Sequence, residues 1–132
     1  MNRIFSGILA FFVSACAGSG PDQALLNQVQ SLVHAALETH KVLRLSEIDS
    51  VQWTEMVLIR PYTPNESLEP KLSENKRVSA TKIEQRDDIT VMVFTKGSEV
   101  TGVVEFPRAI FDFSQLELKA FRPEDNISLI LD

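Results

Sequence analysis

The longest regular pattern of apolar residues predicts an amphipathic helix over residues 23–40. Its apolar positions recur at helical spacing and fall within a sector of about 140° around the helix axis. They are Leu25, Leu26, Val29, Leu32, Val33, Ala36 and Leu37. Asp22 precedes the pattern and is expected to cap the helix. We expect the stripe to pack on a core, because a membrane-binding or partner-binding stripe is normally flanked by basic residues, and this one has none before Lys41.

Five other segments have the alternation or the β-branched composition that is typical of strands. They are residues 51–60, 89–95, 99–106, 116–121 and 127–131. The second and third are joined by Lys96-Gly97-Ser98, which has the composition of a turn and predicts a β-hairpin. Residues 66–72 are expected to form a short helix. Residues 73–86 are polar and are expected to be an exposed connection.

The order of these elements predicts an α+β fold with one long N-terminal amphipathic helix packed on an antiparallel sheet of four to five strands. We expect a two-layer sandwich in which the helix covers one face of the sheet. Trp53 and the five phenylalanines that follow residue 15 are expected to fill the space between the layers.

The first sixteen residues have the order of a bacterial export signal. Arg3 precedes an apolar run over residues 4–13, about half the length that a membrane-spanning helix needs. The run ends at Val13-Ser14-Ala15-Cys16, which resembles the lipobox of a bacterial lipoprotein precursor. The resemblance implies a signal peptide over residues 1–15 and a lipidated Cys16 at the start of a flexible tether over residues 16–22. A single α+β domain then covers residues 23–132.

Two other interpretations of the N-terminus stay open. Cys16 could be a buried core cysteine with residues 4–13 as a core strand, or ordinary cleavage after Ala15 or Ala17 could release a soluble secreted protein. If Cys16 is acylated, the chain is attached to a membrane without a spanning helix. The absence of Asp at position 17 then favours the periplasmic face of the outer membrane in a Gram-negative bacterium.

Composition and charge narrow the class of protein. The 132 residues suit one domain, and 44% hydrophobic with 23% charged residues is close to the globular average, which excludes a disordered tail and a multi-span membrane protein. The net charge is −5 without a basic block, so we expect no nucleic-acid partner. The single cysteine excludes a disulfide within the chain.

The chain contains none of the common catalytic or nucleotide-binding motifs, so we expect no cofactor, no metal and no catalytic residue. His34 and Glu38 lie four residues apart on the predicted helix, but two ligands make a weak metal site. Paired carboxylates such as Asp87 and Asp88 could serve a hydrolase, although adjacent acids in turns are more often solvated. Arg60 and Arg108 each flank a proline at a strand end, where a pairing with Asp112 or Glu55 is expected.

The turn Pro61-Tyr62-Thr63-Pro64 is the most distinctive local feature of the sequence. Its two prolines restrict the backbone, so Tyr62 is the candidate residue of a rigid interaction loop. The alternative is a structural turn in which Tyr62 covers the edge of the sheet.

The same turn carries a second resemblance. Together with Trp53, Phe106-Pro107-Arg108 and Asp112-Phe113-Ser114, it resembles a pattern in small, uncharacterised, exported bacterial proteins. That resemblance covers about residues 51–121 and implies export and the α+β fold, but no activity. The order of helix and sheet is also similar to that of small outer-membrane assembly lipoproteins, which is an analogy of fold alone.

The sequence therefore predicts a lipid-anchored cell-envelope protein that acts as a binding or interaction module. Its expected partners are the membrane, through Cys16, and another envelope protein. A structural envelope lipoprotein without a discrete ligand and an envelope hydrolase are the alternatives.

Overall fold

The structure is a computed structural model that describes residues 21–39, 41–117 and 120–130. The predicted signal peptide, Cys16, most of the predicted tether and His40 lie outside the described residues.

The described residues form an α+β fold with two antiparallel sheets, of four strands and of two, which confirms the α+β part of the prediction. In chain order the elements are α1 (Pro21–Glu38), β1 (Val42–Arg44), β2 (Glu55–Ile59), α2 (Pro70–Ser73), α3 (Lys76–Ala80), β3 (Ile89–Lys96), β4 (Glu99–Pro107), β5 (Ala120–Phe121) and β6 (Asn126–Ser128). Short 3-10 turns lie at Leu45–Glu47, Asn65–Ser67, Ile83–Gln85 and Phe113–Gln115.

The main sheet has four strands in the order β4-β3-β2-β5. The predicted hairpin is confirmed as β3 and β4, with Met92 opposite Val104 and Val93 opposite Val103. The predicted last strand does not join this sheet: β6 pairs with β1 in a separate two-stranded sheet, where Ile127 lies opposite Leu43. Residues 42–44 are too short a run to show alternation, so the sequence does not predict their pairing.

One face of the main sheet packs against α1 around a cluster of aromatic side chains. Trp53 meets Phe94 edge to face, with ring centroids 5.2 Å apart, and the Trp53 indole N–H donates to the backbone oxygen of Ile48 over 2.8 Å. This confirms that Trp53 is buried. The helix lies so close to β4 at Gly102 that a Cβ atom there would collide with Leu25, which is why this strand position takes a residue without a side chain.

The opposite face of the main sheet is also covered, so the predicted two-layer sandwich is wrong. Residues 65–85 fold back over this face and bury an aliphatic cluster that is separate from the aromatic one. It consists of Ile59, Leu72, Val78, Ile83, Ile89, Val91, Val93 and Val103. The interpretation of residues 73–86 as an exposed connection is therefore wrong, because α3 and the following turn insert Val78 and Ile83 into this core.

Two charged side chains, Asp22 and Arg77, cover part of the free edge of strand β4. The Asp22 carboxylate accepts a hydrogen bond from the Val103 N–H over 3.1 Å and binds Arg77 Nη1, also over 3.1 Å. Arg77 Nη2 donates to the backbone oxygen of Val100 over 2.9 Å. Asp22 thus lies inside the first turn of α1, and its side chain binds the sheet. The prediction that Asp22 caps the helix is therefore wrong. Such cover protects an edge strand from pairing with other chains.

Candidate functional site

The Pro61-Tyr62-Thr63-Pro64 turn directly follows β2 and is held by its backbone. The Tyr62 N–H donates to the Ile83 oxygen over 2.9 Å, and the Thr63 N–H and hydroxyl both donate to the Arg60 oxygen, over 3.2 and 2.6 Å. The Tyr62 side chain takes no part in these bonds and is 58% exposed. The turn is therefore fixed from behind, while the ring lies at the surface.

The backbone of Tyr62 is in the left-handed region, with φ at +62°. This conformation costs an ordinary residue about 1–2 kcal/mol relative to the right-handed one, and glycine adopts it without that cost. A tyrosine at such a position is unfavourable for the turn itself. Strained residues of this kind cluster at functional sites.

A partly exposed ion pair is the second element of the site. The Arg108 guanidinium binds both oxygens of Asp112, Nε over 3.0 Å and Nη2 over 2.9 Å, which confirms the expected pairing of these two residues. Asp112 also accepts hydrogen bonds from the Ser114 N–H and hydroxyl. Arg108 first, and then these bonds from Ser114, hold the pKa of the Asp112 carboxyl well below its usual range.

Arg108 also connects this ion pair to Tyr62. Its Nη1 donates to the backbone oxygen of Asp87 over 2.6 Å. The negative charge of Asp87 is the main cause that raises the pKa of Tyr62, and nearby Arg108 opposes it. We call the four residues Tyr62, Asp87, Arg108 and Asp112 the Tyr62 corner.

The corner brings together three of the segments on which the sequence resemblance rests, since Tyr62, Arg108 and Asp112 each come from one of them. Asp87 was not predicted as a partner of Tyr62. It lies 25 positions further along the chain, and no local pattern reports such a contact. The sequence predicted that Arg60 would pair with Asp112 or Glu55. In the structure its guanidinium instead donates to the backbone oxygen of Leu116.

The adjacent carboxylates Asp87 and Asp88 differ in their surroundings. Arg86 binds Asp88, with Nε and Nη2 at 2.9 and 2.7 Å from its two oxygens, whereas the side chain of Asp87 is exposed. Within residues 21–39, 41–117 and 120–130, no group of three or more His, Cys, Asp or Glu side chains could hold a metal ion.

The surface also carries shallow grooves. One, of about 500 Å³, lies between the hairpin turn and residues 122–124, and Glu55, Lys71 and Arg122 contribute to its walls. Lys71 is already used there, because its ammonium donates to the Gly97 oxygen over 3.1 Å and lies 3.5 Å from Glu69. A second groove, of about 410 Å³, adjoins the Tyr62 turn and runs between Thr63 and Lys82.

Comparison with known proteins gives no relative for this chain. No family model matches it, and neither the curated proteins nor the solved structures provide a match. In the part of the chain that the structure describes, no helix combines the length and the apolar character needed to cross a bilayer.

Proposed function

We propose that this protein is a lipid-anchored cell-envelope protein that binds another envelope protein through the Tyr62 corner. Cys16 supplies the membrane attachment. In the tethered domain, the element nearest to the anchor is the long N-terminal helix, which packs on the antiparallel sheet. Only five residue steps separate Cys16 from the start of α1, so an extended tether of about 18 Å holds the domain close to the bilayer.

The observation that carries the binding role is the combination of backbone strain and exposure at Tyr62. The turn would be more stable with glycine at this position, yet the residue is an aromatic one whose ring is largely in solvent. Aromatic side chains on a pre-ordered backbone supply contact area at a low entropic cost and are common at the centres of interfaces. These properties favour recognition over a structural role for the ring.

The contacts of the turn support the same choice. A structural tyrosine would be expected to cover the sheet edge, but the ring of Tyr62 is 58% exposed and the turn is fixed by backbone hydrogen bonds that alanine would keep. Across the rest of the described chain, the other large hydrophobic residue that is similarly exposed is Ile130, at 61%. Ile130 therefore serves as the matched control for tests of Tyr62.

The binding role is tested by photocrosslinking in living bacteria. A photoreactive phenylalanine analogue is placed at position 62 of the full chain, and in a second strain at position 130. We expect a discrete crosslinked adduct from position 62 alone. Adducts of equal yield from both positions, or no adduct from position 62, would overturn the proposed role of the corner.

The anchor is tested separately by mass spectrometry of the membrane fraction. We expect a mature chain that begins at Cys16 and carries acyl groups, and we expect Cys16→Ala to abolish the modification and the membrane attachment. An unmodified mature chain in the soluble fraction would contradict the anchor and leave the crosslinking result unaffected.

A further inference from the structure

In the described sheet, β4 has a neighbouring strand on one side only, so its other edge presents backbone hydrogen-bonding groups. Asp22 Oδ1 accepts a hydrogen bond from the Val103 N–H over 3.1 Å, and Arg77 Nη2 donates to the Val100 oxygen over 2.9 Å. The backbone of Val103 therefore faces away from β3. Because this direction alternates along an antiparallel strand, the backbone of Glu105 faces the same free edge. Asp22 and Arg77, which we call the edge pair, thus occupy one donor and one acceptor of this edge.

We propose that the edge pair is an autoinhibitory contact that keeps β4 from pairing with β4 of a second copy of this chain. This inference is independent of the role of Tyr62. An edge strand with open backbone groups is a template for another strand, and charged cover is one of the means by which proteins prevent such pairing. When the edge pair separates, the Val103 N–H and the Val100 oxygen lose these partners and become available to a neighbouring chain.

The edge pair is placed where it opens at a low cost. Asp22 is the second residue of α1, and the end of a helix frays more readily than its centre. The side chains of Asp22 and Arg77 are 34% and 42% exposed, and exposed ion pairs stabilise a fold only weakly. A groove of about 470 Å³ adjoins this edge, with Leu26 of α1 and Ala80 of α3 in its walls. The edge therefore becomes accessible when the edge pair separates.

The residues of β4 favour one antiparallel register with a second copy. A two-fold axis at Val104 places Val103 of one chain opposite Glu105 of the other, so that outward-facing backbone groups meet and each such pair exchanges two hydrogen bonds. Each Glu105 side chain then has an aliphatic residue opposite it. An axis at Glu105 would instead place two carboxylates directly opposite each other, which is unfavourable.

Both ends of β4 limit the pairing to a short stretch. Thr101 lies between Val100 and Gly102, which pair with consecutive residues of β3, so Thr101 itself has no partner in the ladder and the strand is irregular there. An axis at Val103 would require this irregular residue to pair with Glu105 of the other copy. At the other end, Pro107 has no N–H to donate. Because the remaining stretch is short, a single pair of side chains is sufficient to prevent its use.

The inference is tested by the oligomeric state of the full chain. The chain is purified from bacteria in mild detergent, and sedimentation velocity is measured over a range of protein concentrations. We expect the parent to stay monomeric, and Asp22→Ala to dimerise at concentrations about tenfold lower than any at which the parent does, because the edge loses its charged cover and a hydrogen-bond acceptor. Arg77→Ala opens the same edge from α3 and is expected to act in the same direction. Monomers in both variants at every concentration would overturn the inference.

Glu47→Ala is the matched control for the loss of charge. It also removes an exposed carboxylate that forms an ion pair, with Arg44 over 3.9 Å, but it lies in the 3-10 turn after β1. We expect this variant to stay monomeric like the parent. Equal dimerisation of Glu47→Ala and Asp22→Ala would assign the effect to the reduced net charge and would overturn the inference.

A proline at position 105 tests which surface forms the dimer. The Glu105 N–H faces the free edge, so proline there is compatible with the ladder to β3 and removes one donor of the proposed pairing. We expect Asp22→Ala combined with Glu105→Pro to be monomeric, and Asp22→Ala combined with Glu105→Ala to dimerise. In the dimer of Asp22→Ala, amide hydrogen exchange at Val103 and Glu105 should be slower than in its monomer. A dimer that persists with the proline, or that lacks this protection, would overturn the inference.

Discussion

The two faces of the main sheet are built in different ways. The face under α1 is packed with large aromatic side chains that meet edge to face, such as Phe106 and Phe113 with centroids 5.2 Å apart. The hydrophobic cluster on the opposite face is aliphatic, and two short helices and a 3-10 turn contribute part of it. Both clusters are buried, yet the first is covered by one long element and the second by several short ones.

This difference shows that a segment with a polar composition can still form one layer of a core. Residues 70–85 contribute only a few apolar side chains, and Leu72, Val78 and Ile83 are all buried. Charged residues in and directly after this segment form ion pairs and hydrogen bonds around it: Arg86 binds Glu105 over 2.9 Å, and Arg77 binds the β4 edge. A few well-placed aliphatic groups, with ion pairs around them, are sufficient to cover a sheet of valines and isoleucines.

Removal of the central aromatic of the α1 face has the largest expected effect. Trp53→Ala is expected to destabilise the domain by about 3–5 kcal/mol, because it leaves a cavity and ends the contact with Phe94. That is a large fraction of a typical total of about 5–15 kcal/mol. The measurement is denaturant unfolding followed by circular dichroism. A loss below about 1 kcal/mol would show that the aromatic face is not the main core.

The aliphatic face is tested by Ile83→Ala. We expect a loss of about 2–3 kcal/mol, at the lower end for such a truncation because the surrounding turn can relax into the space. The matched control is Ile130→Ala, at a residue that is 61% exposed, which is expected to stay within about 0.5 kcal/mol of the parent. Equal effects of the two substitutions would show that residues 73–86 are an exposed connection and contribute little to the core.

The Arg108–Asp112 pair links the segment after β4 to the residues just before β3, since Arg108 also binds the backbone of Asp87. It makes the stability of the fold depend on pH. The pKa of Asp112 is lowered in the folded chain. Its contribution is therefore present above the unfolded value of about 3.9 and is lost as the pH falls below it. Asp112→Asn is expected to cost about 1 kcal/mol at neutral pH, since the pair is partly exposed.

The check on Asp112 is a series of melting curves from neutral to acidic pH. The difference between the parent and Asp112→Asn should shrink as the pH falls through 4 and below, because the folded chain holds the carboxyl ionised to a lower pH than the unfolded chain does. A difference that is constant with pH would mean that the charge of the Asp112 carboxylate does not stabilise the fold.

The smallest expected effect on stability is at Tyr62, which contributes to neither core. Tyr62→Ala is expected to change the melting temperature by less than about 2 °C, while Tyr62→Gly is expected to melt higher than Tyr62→Ala, because glycine relieves the left-handed strain. Scanning calorimetry measures both. A drop of several degrees in both variants would show that the ring has a structural role.

The electrostatic assignment at the corner has its own spectroscopic check. Asp87→Asn removes the main cause of the raised pKa of Tyr62, so the pKa should fall toward its ordinary value. Because the chain has one tyrosine, an absorbance titration of the phenolate reports this residue alone. An unchanged pKa would place the Asp87 carboxylate away from the hydroxyl.

The sequence alone was sufficient for the features that depend on neighbouring residues. The hairpin of β3 and β4 is encoded by alternation around Lys96-Gly97-Ser98, and the pairing of Arg108 with Asp112 spans only four positions. The burial of Trp53 follows from its large apolar surface. The lipidation of Cys16 and the binding role of Tyr62 were also inferred from short sequence motifs, and both stay predictions that the experiments above test.

Only the tertiary structure decided which distant segments meet. It placed β6 against β1, folded residues 65–85 over the second face of the sheet, and brought the backbone of Asp87 to the guanidinium of Arg108. The physical reason is that a few separated apolar residues carry no periodic signal. Their burial depends on the free energy gained when the whole sheet is covered, to which every layer contributes. The same holds for Asp22, whose carboxylate binds the edge of β4 only because α1 and α3 lie beside it.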